Sequence, residues 1–320
     1  MSRILVTGAN GFVGRAVCAA LAAAGHEPVG AVRSEAAAAS LDPERMQCRI
    51  IGDVHEGTDW TRALEGIDAV IHLAARVHVM RDQESDPLAA FCRVNLDGTL
   101  RLAEQAFAAG AGRLVYASTV KVHGESTSER PFTEQDPLAP QDPYAQSKAR
   151  AEEALLALAK DKGREVALIR PPLVHGPGVR ANFLRLLRWV DRQLPLPLSS
   201  VRNQRSLVAL DNLADALALC ATHPAAANRA YLVSDGPPLS TPDLLRALAE
   251  LMGRRTRLLP MPAPLLKAMA ACLGKSKEAK RLLGSLAVDD SRIRSELGWR
   301  QPLSPEQGLA KTVQWYLERS

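Results

Sequence analysis

Short apolar runs alternate with Ala- and Leu-rich helical patterns along the first half of the chain. The apolar runs are continuous, which is typical of strands buried on both faces of a parallel sheet. The predicted strands span residues 3–6, 28–33, 69–73, 113–117 and 166–170, and the predicted helices span residues 11–24, 96–109 and 144–160. This order predicts an α/β fold built on a doubly wound parallel sheet.

The pattern changes after Arg170, where prolines interrupt the candidate elements. Further on, Ser240 begins a predicted helix that runs to Leu251, and residues 304–319 form another amphipathic helix. We therefore expect a sheet domain in residues 1–170, joined by a segment that returns to it near residues 206–222. Residues 171–205 and 223–320 are expected to form a smaller, mixed lobe that binds the substrate.

Composition narrows the class of protein. The chain has 320 residues, of which 47% are hydrophobic and 23% charged, and its net charge of +5 is spread without a Lys/Arg block. This balance suits an anionic small ligand better than nucleic acid. The five cysteines are scattered and form no CxxC motif, which argues against a disulfide framework or a zinc site. No apolar run reaches the ~20 residues of a membrane span, so we expect a soluble, cytoplasmic protein.

A glycine-rich turn follows the first predicted strand. Gly8, Gly11 and Gly14 are spaced GxxGxxG and precede the first predicted helix. Glycines at this place allow a tight turn and let a pyrophosphate approach the N–H groups of the helix N-terminus. A plain strand-to-helix turn is the alternative, but the position directly after the first strand favours a Rossmann-type nucleotide site.

The second predicted strand ends without the acidic residue that would bind the ribose 2′-hydroxyl of NAD. Arg33 stands at its tip instead and is suited to a 2′-phosphate, which favours NADP(H) over NAD(H). The alternative is that Arg33 is simply solvated and that Glu35 takes the ribose contact.

A possible proton-transfer group lies on a predicted helix. Tyr144 and Lys148 are four residues apart and therefore share one face of that helix. The nearby ammonium favours the phenolate of a tyrosine whose ordinary pKa is about 10. Ser118 and Thr119 follow the strand 113–117 at the edge of the sheet where ligands bind, so their hydroxyls can reach the same substrate oxygen.

Together these motifs resemble the extended short-chain dehydrogenase/reductases, within the group of nucleotide-sugar epimerases, dehydratases and reductases. The matching segments run in the family's order over about two thirds of the chain: TGANGFVG (7–14), GDV (52–54), HLAA (72–75), VNLDGT (94–99), ASTVKVHG (117–124), YAQSK (144–148), RPPLVHGPG (170–178) and RSLVALDNLADA (205–216). The loop that follows HLAA is similar to that of UDP-4-keto-6-deoxy-N-acetylhexosamine 4-reductases and UDP-hexose 4-epimerases.

The resemblance implies roles for individual residues. The implied catalytic residues are Tyr144, Lys148, Thr119 and Ser118. The implied cofactor contacts, besides Tyr144 and Lys148, are Gly8, Asn10, Gly11, Phe12, Val13, Gly14, Arg33, Asp53, Val54, Leu73, Ala74, Ala75, Asn95 and Pro171. The implied substrate contacts are His78, Thr119, Asn182, Arg205 and Arg281, of which Arg205 is expected to grip the UDP diphosphate.

Two histidines depart from the family pattern. His123 and His175 stand where tyrosines are usual, and lone histidines without acidic partners are more often packing residues than metal ligands. No metal site is therefore expected.

Four functions fit the resemblance to different degrees. We expect an NADPH-dependent 4-ketoreductase of a UDP-4-keto-6-deoxy-N-acetylhexosamine, with a UDP-glucose or UDP-N-acetylglucosamine 4-epimerase as the alternative. A 4,6-dehydratase is disfavoured because Val120 and Lys121 replace the Asp-Glu pair that follows the catalytic Thr in those enzymes. A non-catalytic NADP sensor is disfavoured because Tyr144 and Lys148 are both present. The resemblance also implies a homodimer and a role in polysaccharide precursor synthesis.

Overall fold

The fold is described from a computed structural model that defines residues 1–42, 46–77, 84–272, 274 and 276–319. Its strands are β1 (Arg3–Thr7), β2 (Glu27–Val32), β3 (Gln47–Ile50), β4 (Ala69–His72), β5 (Arg113–Ala117), β6 (Glu165–Arg170), β7 (Leu173–His175), β8 (Leu207–Ala209) and β9 (Arg229–Leu232). Its helices are α1 (Phe12–Ala23), α2 (Glu35–Ala39), α3 (Pro87–Cys92), α4 (Gly98–Ala108), α5 (Pro143–Lys162), α6 (Ala181–Asp191), α7 (Leu210–Thr222), α8 (Thr241–Leu251), α9 (Ala263–Cys272), α10 (Ser276–Leu283), α11 (Ser291–Leu297) and α12 (Pro305–Leu317).

Seven parallel strands form the main sheet in the order β3-β2-β1-β4-β5-β6-β9. The chain moves outward from β1 to β3 and then returns to place β4 on the other side of β1. At such a reversal the two crossovers diverge, which opens a crevice at the carboxyl ends of β1 and β4. The predicted α/β class and doubly wound sheet are confirmed.

Alternate residues of each strand face opposite layers of helices. Ile4 and Val6 of β1 pack with α1 and α7 in one apolar core, whereas Leu5 packs with α4 and α5 in another. Both faces are covered, which explains why the strands read as continuous apolar runs.

The second lobe has its own apolar core. β7 pairs with β8 in a small parallel sheet. Phe183 and Leu187 of α6 lie in one cluster with Leu245 of α8 and Val313 of α12. The cap predicted at Ser240 forms, since its side chain accepts a hydrogen bond from the Asp243 backbone N–H. Ser304, for which no cap was predicted, completes a capping box with Gln307.

The return to the main sheet is longer than the predicted segment 206–222. Helix α7 does pack against α1 at this place. The chain then adds β9, a seventh strand that pairs with β6, from residues that the predicted division assigned to the lobe. The strand is only four residues long, so its pattern is too short to indicate a strand by itself.

A buried ion pair fixes α5 against β6. Glu152 accepts hydrogen bonds from Arg170 Nε at 3.1 Å and from Arg170 Nη2 at 2.5 Å, and their side chains are 1% and 7% exposed. His123 Nε2 lies 3.0 Å from Arg170 Nη1. Both charges are therefore satisfied although neither is solvated, and each depends on the other.

Replacing Glu152 by Gln is expected to lower the free energy of unfolding by about 3–5 kcal/mol, because it leaves the Arg170 charge buried without a counter-charge. Denaturant titration measures this loss. The matched control is Glu153→Gln at the next, exposed position, which is expected to change stability by less than about 0.5 kcal/mol. Equal effects of the two substitutions would contradict the assignment.

Candidate active site

The crevice between β1 and β4 gathers the predicted cofactor residues. Thr7 Oγ1, at the end of β1, accepts hydrogen bonds from the backbone N–H groups of Leu73 and Ala74, both at 3.1 Å. A Cβ built on Gly8 would lie 3.3 Å from Ala74 N, so the glycine turn directly contacts the segment after β4. The two motifs, 66 residues apart in sequence, form one wall.

The glycine turn fits a pyrophosphate. Gly8 has a φ of +66°, and a Cβ on Gly14 would lie 2.2 Å from Gly8 O, so neither position accepts a side chain without strain. Gly11 caps α1 without a side-chain hydrogen bond, and the first turn holds no acidic residue. The N–H groups and the positive end of the helix dipole are thus left for an anionic ligand.

Arg33 and Asp53 lie together just beyond the carboxyl ends of β2 and β3. Arg33 Nη1 is 3.6 Å from Asp53 Oδ1, and the two side chains are 77% and 76% exposed. An ion pair this exposed contributes little stability, so both groups are accessible to a ligand. Val54 beside them packs closely over Gly98, where a Cβ would lie 2.7 Å from Val54 Cγ1.

The remaining predicted cofactor residues have mixed surroundings. Phe12 packs with the core of the second lobe and lies next to Gly178, whereas Val13 packs on the core of the sheet domain. Phe12 therefore joins the glycine turn to the lobe.

The other predicted cofactor residues have local partners. The Asn10 carbonyl accepts a hydrogen bond from Arg15 Nε, and the Pro171 carbonyl accepts one from Val120 N at 3.0 Å. Ala75 continues the wall that Leu73 and Ala74 begin.

Lys148 lies in the interior beside β5. Its Nζ donates a hydrogen bond to the Ala117 carbonyl at 2.7 Å and lies 4.2 Å from the centre of the Tyr116 ring. Burial lowers the pKa of Lys148 to about 7, although the charge of Glu152 opposes the change. Ser118, directly after Ala117, is buried, and its hydroxyl has no hydrogen-bond partner within the part of the chain that the structure describes.

Tyr144 stands one turn before Lys148 on α5. Its ring meets the edge of Phe91 with 6.1 Å between ring centres. Burial raises the pKa of Tyr144 above its ordinary value, and the negative charge of Asp142 raises it further. The phenol is therefore protonated at neutral pH, and Lys148 alone does not reverse this. Thr119 begins the turn after β5, where its hydroxyl accepts a hydrogen bond from Lys121 N at 3.3 Å.

Asn95 organises the floor of the site. Its Oδ1 accepts a hydrogen bond from Arg76 N at 2.8 Å, and its Nδ2 donates to Arg76 O and Ser147 Oγ. Asn95 lies in a π-helical segment, Arg93–Asp97, which joins α3 to α4 where the sequence predicts a regular helix from residue 96. Such segments recur at functional sites because they re-aim a side chain.

His72 is a site residue that the sequence reasoning did not single out. The ring nitrogens lie 2.7 Å from Thr7 Oγ1 and 3.0 Å from Thr99 Oγ1, and the ring stacks on Tyr116. Burial and the charge of Lys148 lower the pKa of His72 to about 3, so it is neutral. Its position in the HLAA motif is the sequence feature that could have identified it. Tyr116 and Asp142 were missed in the same way, each beside a motif that was recognised.

The predicted substrate residues are only partly brought together. Arg205 donates hydrogen bonds to the carbonyls of Arg281 and Gly284, so the two arginines lie side by side. Asn182 is exposed on α6 and accepts a hydrogen bond from Arg185 of the same helix. His78 lies outside the described residues.

The two histidines that replace family tyrosines are buried and have protein partners. His123 lies beside Arg170 and stacks on Phe132. His175 stacks on Phe183 and lies 3.4 Å from Asp235 and 3.0 Å from Thr312 Oγ1. Across the described ranges, no three His, Cys, Asp or Glu side chains form a group suited to a metal ion. Within the same ranges, no helix has the length and apolar character to span a bilayer.

Comparisons with known proteins identify the family. Residues 4–234 match the model of the NAD dependent epimerase/dehydratase family, and the chain belongs to that family. It is similar to a UDP-glucose 4-epimerase of Vibrio cholerae, with 41% identity over 98% of this chain and 95% of the relative. It is therefore an enzyme, an NAD-dependent oxidoreductase of the nucleotide-sugar epimerase/dehydratase type.

Solved structures show the same architecture. A dTDP-glucose 4,6-dehydratase from Streptomyces venezuelae, solved with NAD, is 28% identical, with a TM-score of 0.77 over 99% of this chain and 97% of that one. MoeE5, solved with UDP-glucose and NAD, is 26% identical, with a TM-score of 0.77 over 99% of this chain and 99% of that one.

The buried ammonium of Lys148 makes stability depend on pH. Its pKa is about 7 in the folded protein and ordinarily 10.5, so between these values the unfolded chain binds the extra proton. The buried charge of Lys148 therefore destabilises the folded protein at low pH, and this destabilisation disappears as the pH rises through that window because the folded lysine becomes neutral. We expect the melting temperature of the native protein, relative to Lys148→Met, to rise from pH 7 to pH 10. A difference that stays constant would contradict the burial of the charge.

Proposed function

We propose that the protein is an NADPH-dependent reductase of the C4 ketone of a UDP-linked 6-deoxy-N-acetylhexosamine. That the reaction is a reduction is inferred from Arg33, whose side chain is exposed at the end of β2 beside the glycine turn. The 2′-phosphate of NADP is an anion that a guanidinium binds well, and a reductase draws on the reduced NADP pool at every turnover. The identity of the sugar is inferred from the family resemblance alone.

The residues of α5 and the β5 turn supply the proton chemistry. A bound reduced nicotinamide supplies the hydride that is added to C4. Tyr144, protonated at neutral pH, gives its proton to the C4 oxygen as negative charge develops there. Ser118 and Thr119 are proposed to donate hydrogen bonds to the same oxygen; both follow β5, and the unpartnered Ser118 hydroxyl in the described chain supports this role. Lys148, whose Nζ hydrogen-bonds the carbonyl of Ala117 just before them, is proposed to supply a positive charge when it is protonated.

Arg205 and Arg281 are proposed to bind the diphosphate of the sugar nucleotide. Their adjacency is fixed by hydrogen bonds from one arginine to the backbone of the other's segment. The hydrogen bond from Arg205 to the Arg281 carbonyl holds the two residues together, and burial and the Arg281 charge both lower the pKa of Arg205. A diphosphate relieves such repulsion and offers oxygens for bidentate contacts.

A UDP-hexose 4-epimerase is the second candidate, favoured by the 41% identical relative from Vibrio cholerae. In that reaction Tyr144 first accepts the proton of the 4-hydroxyl and later returns one. A 4,6-dehydratase is less well supported because Lys121 stands where the resemblance places a carboxylate, and its ammonium is paired with Asp142 and Glu125.

The two candidates separate in one assay, in which NADPH absorbance is followed with UDP-4-keto-6-deoxy-N-acetylglucosamine as substrate. Stoichiometric loss of NADPH supports the reductase. Interconversion of UDP-hexoses without added cofactor and without NADPH loss would overturn it in favour of the epimerase. Sedimentation of the same preparation tests the homodimer, which stays a prediction.

Replacing Tyr144 by Phe is expected to lower kcat by about 10²–10⁴-fold, because it removes the transferred proton while keeping the ring. Cofactor binding, measured by fluorescence of bound NADPH, is expected to persist. Tyr316→Phe on α12 is the control and is expected to keep full activity, since its hydroxyl contacts Asp191 far from α5 in sequence. Retained activity in Tyr144→Phe would remove this residue from the mechanism.

Arg33→Ser is expected to weaken NADPH binding by about tenfold or more, since a charge-assisted hydrogen bond is lost. NADH affinity serves as the internal control and is expected to change by less than about twofold. Titration calorimetry with both cofactors measures the difference. Equal losses for the two cofactors would show that Arg33 does not contact the 2′-phosphate.

A further inference from the structure

A half-buried cluster of charges lies between the turn after β5 and the start of α5. Lys121 Nζ is 2.6 Å from Asp142 Oδ2 and 3.3 Å from Glu125 Oε1. The three side chains are 26%, 19% and 19% exposed, so solvent screens the contacts only in part. Glu125 also lies 3.9 Å from Arg281 of the second lobe. Lys121 comes two residues after Thr119.

Asp142 uses its two carboxylate oxygens for different purposes. Oδ1 accepts a hydrogen bond from Ala145 N at 2.7 Å and thereby caps α5, whose first turn contains Tyr144. Oδ2 accepts the hydrogen bond from Lys121. One carboxylate therefore joins the turn that carries Thr119 to the turn that carries Tyr144, and the Lys121 ammonium is the connecting group.

We propose that Lys121 is a positioning residue for Tyr144, which it serves by anchoring Asp142 and neutralising that carboxylate. The inference deepens the proposed function, because it rests on Tyr144 as the group that transfers the proton. Without the ammonium, the helix cap is free to shift and an uncompensated negative charge stands two residues from the phenol.

The electrostatic effect has a definite sign. The Asp142 charge raises the pKa of Tyr144, and a cation bound to Asp142 opposes that increase. The other charged and titratable groups on the elements packed around the start of α5 are Lys148 and Glu152 on α5, Glu125 in the β5 turn, Arg76 over the Phe91 ring, Tyr116 and His72 on the sheet, and Arg281 from the lobe. Of these, Glu125 loses an ion-pair partner when Lys121 is replaced, so the part of the effect that passes through Asp142 is isolated by comparison with Asp142→Asn.

Four variants test the proposal: Lys121→Met, Lys121→Arg, Asp142→Asn and the Lys121→Met/Asp142→Asn double variant. Asn is a good helix cap, so Asp142→Asn removes the charge while it keeps the start of α5. For each variant, kcat and KM are measured across pH, and hydrogen exchange of residues 143–147 is followed by mass spectrometry on the NADP-bound protein.

Lys121→Met is expected to move the Tyr144-dependent limb of the kcat profile to higher pH by about one unit, the shift typical of a nearby charge, and to change KM by less than about twofold. Lys121→Arg is expected to restore the native profile. Asp142→Asn is expected to lower the same limb, and its addition to Lys121→Met is expected to cancel the rise. If Lys121→Met does not fold, Asp142→Asn tests the proposal by itself, because an unmoved limb of the kcat profile in that variant overturns the proposal.

Two other outcomes overturn it. A raised KM with an unmoved pH limb would show that Lys121 contacts the sugar, and a rise that Asp142→Asn does not cancel would show that Lys121 acts on another group. Hydrogen exchange needs no turnover and therefore separates this inference from the proposed function. Faster exchange at 143–147 in Lys121→Met supports the anchor even if the reaction is of another kind, and unchanged exchange overturns it.

Discussion

Charged groups tie helix α5 to its surroundings at successive turns, and the geometry of the site depends on these contacts. Asp142 binds Lys121 at the first turn, Lys148 binds the Ala117 carbonyl in the next, and Glu152 binds Arg170 one turn further. The second and third contacts are almost fully buried, so each is costly to break. These contacts fix the rotation and the axial position of the helix that presents Tyr144 relative to the ends of β5 and β6.

Local sequence determined much of the sheet domain. Strand β5 has the bounds that its apolar run predicts, and Gly8, Gly11 and Gly14 form the turn that their spacing indicates. The charge pairs were beyond sequence reasoning for a physical reason. Arg33 meets Asp53, and Lys121 meets Asp142, only because the fold brings separate loops to one edge of the sheet. Composition gives no signal for such pairings.

The histidines at positions 123 and 175 show how a family position is reused. Each ring stacks on a phenylalanine, and each presents a nitrogen to a neighbouring polar group in the interior. Burial and the adjacent Arg170 charge lower the pKa of His123, so it stays neutral while it contacts the buried guanidinium. The imidazole thus fills the apolar space of an aromatic ring and also completes an interior polar network.

The π-helical segment Arg93–Asp97 has a consequence for how the chain can vary in length. The i→i+5 hydrogen bonds of a π-helix enclose one residue more than the i→i+4 bonds of an α-helix. Because each α-helical residue turns the chain by about 100°, the extra residue puts α3 and α4 out of phase by about that angle compared with an uninterrupted helix. Deleting a single residue there would restore regular winding and rotate Asn95 away from Arg76, while leaving most of the apolar stripe of α4 intact. Insertions and deletions in this helix are therefore changes of angular register, and the hydrogen bonds of Asn95 to Arg76 depend on the present register.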